Sequence, residues 1–157
     1  MNRAKVLLYR LARYRSAMLT DETKTRINQY RGLALGLFQS VRFPAGCSEY
    51  DIRNGLSRLY YAFFHASLAL LLSREVNIET IRKSHGMVQT GIDRHLGKSV
   101  GRRFRELYAA RLQADYEPDM IAVRYHGQLE RAQLDADNLR KRTSGDFYWL
   151  LQESRKV

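Results

Sequence analysis

An all-α protein is what this sequence predicts, and three observations predict it. In 157 residues there are only two prolines and ten scattered glycines, so long stretches run without a breaker. The run from Leu59 to Leu72 is apolar almost all round, which suits a helix covered on most sides. Residues that start and stop helices stand between the long stretches. With 45% apolar and 27% charged residues the chain reads as globular rather than disordered, and its length favours one domain.

The elements follow in order. "MNRAKVLLYRLARYRSAML" predicts a basic helix over roughly residues 3–18. It faintly resembles an organelle transit peptide, being rich in Arg and free of acids. A basic helix lying on the domain or on RNA is the preferred reading. "TDET", 20–23, opens a second helix with acids in its first turn, running to about residue 40. "RFPAG", 42–46, breaks the chain.

Ser48 caps the third helix, about 49–74, with Asp51 three residues on as an imperfect capping box. Gly55 lies inside it, at a cost of ~1 kcal/mol relative to Ala. Ala62, Ala66 and Ala69 recur at helical spacing and allow close helix approach. "SREVNIETIRKS" reads as a polar connector. Ser84 caps a fourth helix over 85–96, ended by Gly97, and a fifth covers 99–115, stopped by Pro118. A last helix spans roughly 126–155, with Gly145 marking a candidate interruption at "TSGD". Residues 1–20 are an extension and 21–157 the domain; no repeat or low-complexity segment divides them.

The formal net charge is +11 and the pI about 10.1. Arginine outnumbers lysine 21 to 6. Guanidinium offers a planar fork that grips phosphate and stacks on bases, so the charge points to nucleic acid or another phosphate ligand. An arginine-rich genome or an acidic partner protein is the other reading. The single cysteine, Cys47, excludes a disulfide framework or a Cys-based zinc site within the chain and fits a reducing cytoplasm. No apolar run reaches the ~20 residues of a membrane span. No Gly-rich phosphate loop and no His-Glu-x-x-His occurs, and acids are sparse around the histidines.

Three constellations carry chemistry. In "SRLYYAFFHASLALLL", 57–72, Arg58 and His65 lie two turns apart on one helix face. They read as an anion-holding cation and a proton-moving imidazole, expected along a polar seam with His65 turned towards Arg111. The bland alternative is an interior histidine beside an arginine that snorkels to the surface. In "KSHGMVQTGI", 83–92, His85 falls at a helix N-terminus behind Lys83 and Ser84, where free N–H groups attract anions. A capping histidine in a basic loop is the plain reading. In "YAARLQADYEP", 108–118, Arg111 and Tyr116 meet only if the helix ends between or just after them, and Asp115 can hold either in place. An ordinary helix end with a surface salt bridge is the alternative.

Taken jointly, these three segments resemble the HEPN family (higher eukaryotes and prokaryotes nucleotide-binding domain). The likeness is to its small prokaryotic members, which pair Tyr-Tyr-Ala-x-Phe-His with a later Arg-x-x-Ala-Asp-Tyr, and it covers roughly residues 24–155. The resemblance implies an up-and-down bundle of four to five helices that dimerises with its polar groups facing a cleft. It implies RNA or nucleotide as ligand, no metal or other cofactor, and cleavage of RNA by a toxin or defence effector. A minimal nucleotidyltransferase antitoxin is the partner it suggests, and the cytoplasm the compartment. A non-catalytic module binding nucleotide, RNA or a partner enzyme is the alternative.

The family's signature is Arg, four to six residues, then His. Arg111 matches the Arg, and Tyr116 stands at the His position. Arg58 and His65 keep the spacing on a different helix. Histidine, with a pKa near 6.5, moves protons well at neutral pH; tyrosine, near 10, is a poor base. The implied catalytic set is therefore Arg111, His85, His65, Tyr116 and Asp115. Arg58, Tyr60, Tyr61, Lys83 and Ser84 are the implied RNA or nucleotide contacts.

Overall fold

A computed structural model describes residues 19–156. The expected helix over 3–18 lies outside the described residues. Seven helices follow: α1 (Asp21–Ser40), α2 (Glu49–Ser73), α3 (Ile78–Ile81), α4 (His85–His95), α5 (Lys98–Tyr116), α6 (Met120–Tyr125) and α7 (Leu129–Glu153). Among the described residues there is no strand, so the all-α expectation holds.

Caps fix most of the helix starts. The Thr20 hydroxyl accepts from the backbone N–H of Thr23, and that of Ser84 from Met87. At Ser48 the capping box is complete. The Ser48 hydroxyl takes the Asp51 N–H at 3.2 Å, and the Asp51 carboxylate takes the Ser48 N–H at 3.0 Å. The connector after α2 is more ordered than its composition suggests, because Asn77 caps the one-turn helix α3. The expected last helix is a single element, α7, starting at Leu129, and a short helix precedes it. Met120–Tyr125, ahead of the expected start at 126, form α6, and left-handed backbone at His126 (φ 51°) and Gly127 (φ 76°) turns the chain into α7. Gly145 does not interrupt α7, which runs through it.

Helix α2 is the axis of the bundle and packs on α1, α5 and α7. Leu59, Tyr60, Ala62, Phe63, Ala66, Ala69 and Leu71 have no exposed surface. Burial of each large member stabilises the fold by roughly 1.5–3 kcal/mol. Directions follow from cross-helix pairs. On α2 and α5, Arg53 reaches the carbonyl of Ala114 at 2.8 Å while the ring of Tyr60 meets that of Phe104. On α5 and α7, Arg103 pairs with Asp146 and Arg142 with Glu106. Both pairs of helices are antiparallel, so α2, α5 and α7 alternate in direction, with α1 packed along α2.

Two glycines are required by close approach. At Gly55 a Cβ would collide with the ring of Phe43, which seats against the helix there. That explains a glycine that helix propensity alone disfavours. At Gly101 a Cβ would run into the carboxylate of Asp93, which locks α4 against α5 and also pairs with Arg105 at 2.7 Å. No helix among the described residues is long and apolar enough to cross a membrane.

Candidate functional site

Arg111 is the centre of the site. It projects from the last turns of α5, and only 9% of the residue is exposed. Its Nε meets a carboxylate oxygen of Asp115 at 2.6 Å. Its Nη2 donates to the phenol oxygens of Tyr116 at 3.3 Å and Tyr61 at 3.4 Å. The guanidinium also lies 5.1 Å from the Tyr116 ring centre and 5.8 Å from that of Tyr61. Arg111 and Tyr116 would diverge on a continuing helix. Both lie on α5, whose last residue is Tyr116 with Pro118 two residues beyond, and the Tyr116 side chain reaches back along the helix to the guanidinium. Burial alone would lower the proton affinity of Arg111, but the Tyr116 hydrogen bond and the fields of Tyr61 and Asp115 outweigh it, so the pKa is raised. The group is a fixed cation. The Ser57 hydroxyl, 3.5 Å from Asp115, braces the carboxylate from α2.

His85 sits at the first position of α4, placed there by the Ser84 cap. Its Nδ1 shares a hydrogen bond with the phenol of Tyr60, a side chain with no exposed surface. Its ring stacks on Tyr108 of α5 at 5.2 Å. Burial first, and then the charge of Arg111, push the His85 pKa below the ordinary 6.5. The ring is therefore neutral at physiological pH. Burial, with smaller contributions from Tyr61 and Tyr108, raises the pKa of Tyr60, so that phenol keeps its proton.

His65 does not turn to Arg111. It stacks between Tyr30 of α1, at 5.9 Å, and Tyr61, at 6.4 Å. Its Nδ1 is buried and has no hydrogen-bond partner among the described residues. Burial lowers its pKa as well. Tyr61 is the neighbour that His65 and Arg111 share. The reason is steric: Tyr61 lies one turn before His65 on the same face of α2 and fills the path to α5. The seam expected for Arg58 and His65 is likewise not formed. Arg58 is exposed, and among the described residues it makes no hydrogen bond or ion pair.

Lys83 is exposed in the turn before α4, and the Ser84 hydroxyl is used as the cap. The structure thus brings Arg111, Asp115, Tyr116 and Tyr61 into direct contact and adds the Tyr60–His85 pair beside them. It leaves Arg58 and Lys83 apart. Sequence reasoning missed Tyr108, Ser57 and Tyr30. Tyr108 lies one turn from Arg111, and Ser57 one turn from Tyr61; that spacing was the available signal.

Among the described residues no three His, Cys, Asp or Glu side chains come together as metal ligands. A groove of about 320 Å³ between α5, α6 and α7, lined by Glu106, Arg124, Asp135 and Arg142, lies apart from the Arg111 group. No protein-family model, curated protein or solved structure matches this chain.

Proposed function

We propose that this chain is an RNA-targeting protein of the HEPN type that takes a backbone phosphate at Arg111. The observation that carries the reading is one nearly buried guanidinium bonded to two phenols, with the Tyr60–His85 pair set against one of them. A permanently charged planar fork fixed in place is suited to a phosphodiester. The rings beside it are suited to bases. The excess of arginine supplies the general attraction.

Holding the RNA is the role this geometry supports best. Asp115 already offsets the charge of Arg111, and a phenol stands where the family places its catalytic imidazole. Cleavage is the second reading, and the neutral state of His85 favours it. In that reaction the 2′-oxygen bonds to phosphorus and the bond to the 5′-oxygen breaks, giving a cyclic phosphate and a 5′-hydroxyl. The 2′-hydroxyl proton passes to His85, and the leaving oxygen takes one from water. Arg111 stabilises the charge gathered on the phosphorane. A toxin or defence role, dimerisation, a nucleotidyltransferase partner and the cytoplasm belong to this same proposal.

The test uses RNA in EDTA with the wild type, Arg111→Ala, Arg111→Lys and His85→Ala. Salt-sensitive binding without cleavage, weakened by Arg111→Ala, supports the binding module. Cleavage lost in both alanine variants establishes the second reading. Absence of RNA binding by the folded wild type overturns both.

A further inference from the structure

Five planar groups stand in file across the bundle. Tyr30 stacks on His65, with planes 19° apart, and His65 on Tyr61, 29° apart. The guanidinium carbon of Arg111 lies 5.8 Å from the centre of the Tyr61 ring and 5.1 Å from that of Tyr116, so each group touches the next. The first four are half-buried or buried. The fifth is not: Tyr116 is 67% exposed. Among the described residues its ring has no aromatic neighbour, and Arg111 is its hydrogen-bond partner.

A large ring left in water at the end of such a file has an open place for one more planar group. Arg111 fixes the ring through both its phenol oxygen and its face, so little rotamer freedom remains to be lost when a ligand arrives. The charge next in line fixes where an anion would sit. A planar group covalently joined to a phosphate is a nucleotide unit. Bases inside a duplex have both faces covered by their neighbours, so only an unpaired base can add itself to an exposed ring.

We propose that Tyr116 is the stacking platform for one unpaired nucleobase whose adjoining phosphate lies on Arg111, so that the site selects single-stranded RNA. This rests on the RNA reading above and adds the subsite to it. The phenol at the position the family gives to a proton-transfer group serves here as a base-binding face.

The experiment is a binding cycle on a short single-stranded RNA with 2′-O-methyl groups that block cleavage, and on the same strand with an abasic unit placed at each position in turn. The wild type, Tyr116→Phe and Tyr116→Leu are compared; an exposed ring can be replaced with little effect on folding. Tyr116→Leu is expected to weaken binding of the intact strand on the order of tenfold, while Tyr116→Phe, which keeps the ring and loses its hydrogen bond to Arg111, should weaken it less. At one abasic position the wild type and Tyr116→Leu should bind alike, because the stacked base is gone. The duplex of the same sequence should bind more weakly than the single strand. Equal loss on intact and abasic strands at every position, or equal binding of duplex and single strand, overturns the platform and leaves the RNA reading standing. No binding of any RNA by the wild type overturns both.

Discussion

The phenol of Tyr60 and Nδ1 of His85 share one hydrogen bond across α2 and α4, and among the described residues each is the other's only hydrogen-bond partner. A buried O–H left without an acceptor costs about 1–3 kcal/mol. The arrangement that leaves no donor stranded has Tyr60 donating to Nδ1, which puts the imidazole proton on Nε2. His85 then meets a ligand as a neutral N–H donor, in keeping with the binding role. Nitrogen NMR of the histidine side chains at pH 7 is expected to show this tautomer. An imidazole protonated on Nδ1 would instead free Nε2 as a base and strengthen the cleavage reading.

Arg111→Ala is expected to reduce RNA affinity by about tenfold or more at low salt, as the loss of a charge-assisted contact predicts. It should also make the dependence of log affinity on log salt shallower by about one contact. Arg111→Lys keeps the charge and loses the fork, so it should restore the salt slope but not the full affinity. A titration by fluorescence anisotropy at several salt concentrations checks both statements.

Acidification is expected to destabilise the fold through two histidines. Burial lowers the pKa of His65, and burial with Arg111 lowers that of His85. Below the ordinary 6.5 the unfolded chain takes up protons that the folded chain refuses. Stability therefore falls as pH drops below that value, until the folded pKa values are passed. Thermal melts from pH 7.5 to pH 5 should show a falling Tm, and His65→Phe, which removes one of the two groups, should make the fall smaller.

Ser48→Ala should cost about 1 kcal/mol by removing the cap of α2. The partner carboxylate adds a pH signature. Hydrogen bonds from the Ser48 hydroxyl and backbone hold the Asp51 pKa below its ordinary 3.8. Its contribution is present above that pH and lost as pH falls through the lowered pKa. Urea unfolding of Ser48→Ala at pH 7 and of Asp51→Asn across pH 2–6 measures the two halves of the box.

Gly101→Ala should be more harmful than a helix-favouring change normally is. Alanine raises helix propensity by about 1 kcal/mol, but here its methyl group displaces Asp93 and with it the Arg105 pair. A net loss of about 1–3 kcal/mol is expected from overpacking, read as a lower Tm. Gly32→Ala, on an open helix face, serves as the control and should raise the Tm.

Much of the fold was legible because it is written locally. Thr20, Ser48 and Ser84 announce helix starts by side-chain chemistry that needs no tertiary context, and Gly97 and Pro118 announce stops. Helices α3 and α6 were not legible: four and six residues are too few to display a period. Gly145 misled because a glycine on an exposed helix face weakens the helix without breaking it.

The site was legible in part for the same reason. Arg111, Asp115 and Tyr116 are near neighbours in sequence on one helix, so their contacts need no other segment. Tyr30, which stacks on His65, and Tyr60, which bonds His85, come from helices 25 or more residues away. No spacing within one segment reveals which ring of another segment lies in between, and it was the Tyr61 ring that separated His65 from Arg111.

The file from Tyr30 to Tyr116 makes the functional unit a slice through the molecule rather than a motif along the chain. A graft carrying α2, α4 and α5 alone would preserve all three sequence signatures and still lose the far end of that slice, leaving His65 with one bare side. Tyr30→Ala should therefore alter the behaviour of Arg111 from a helix that contributes nothing else to it.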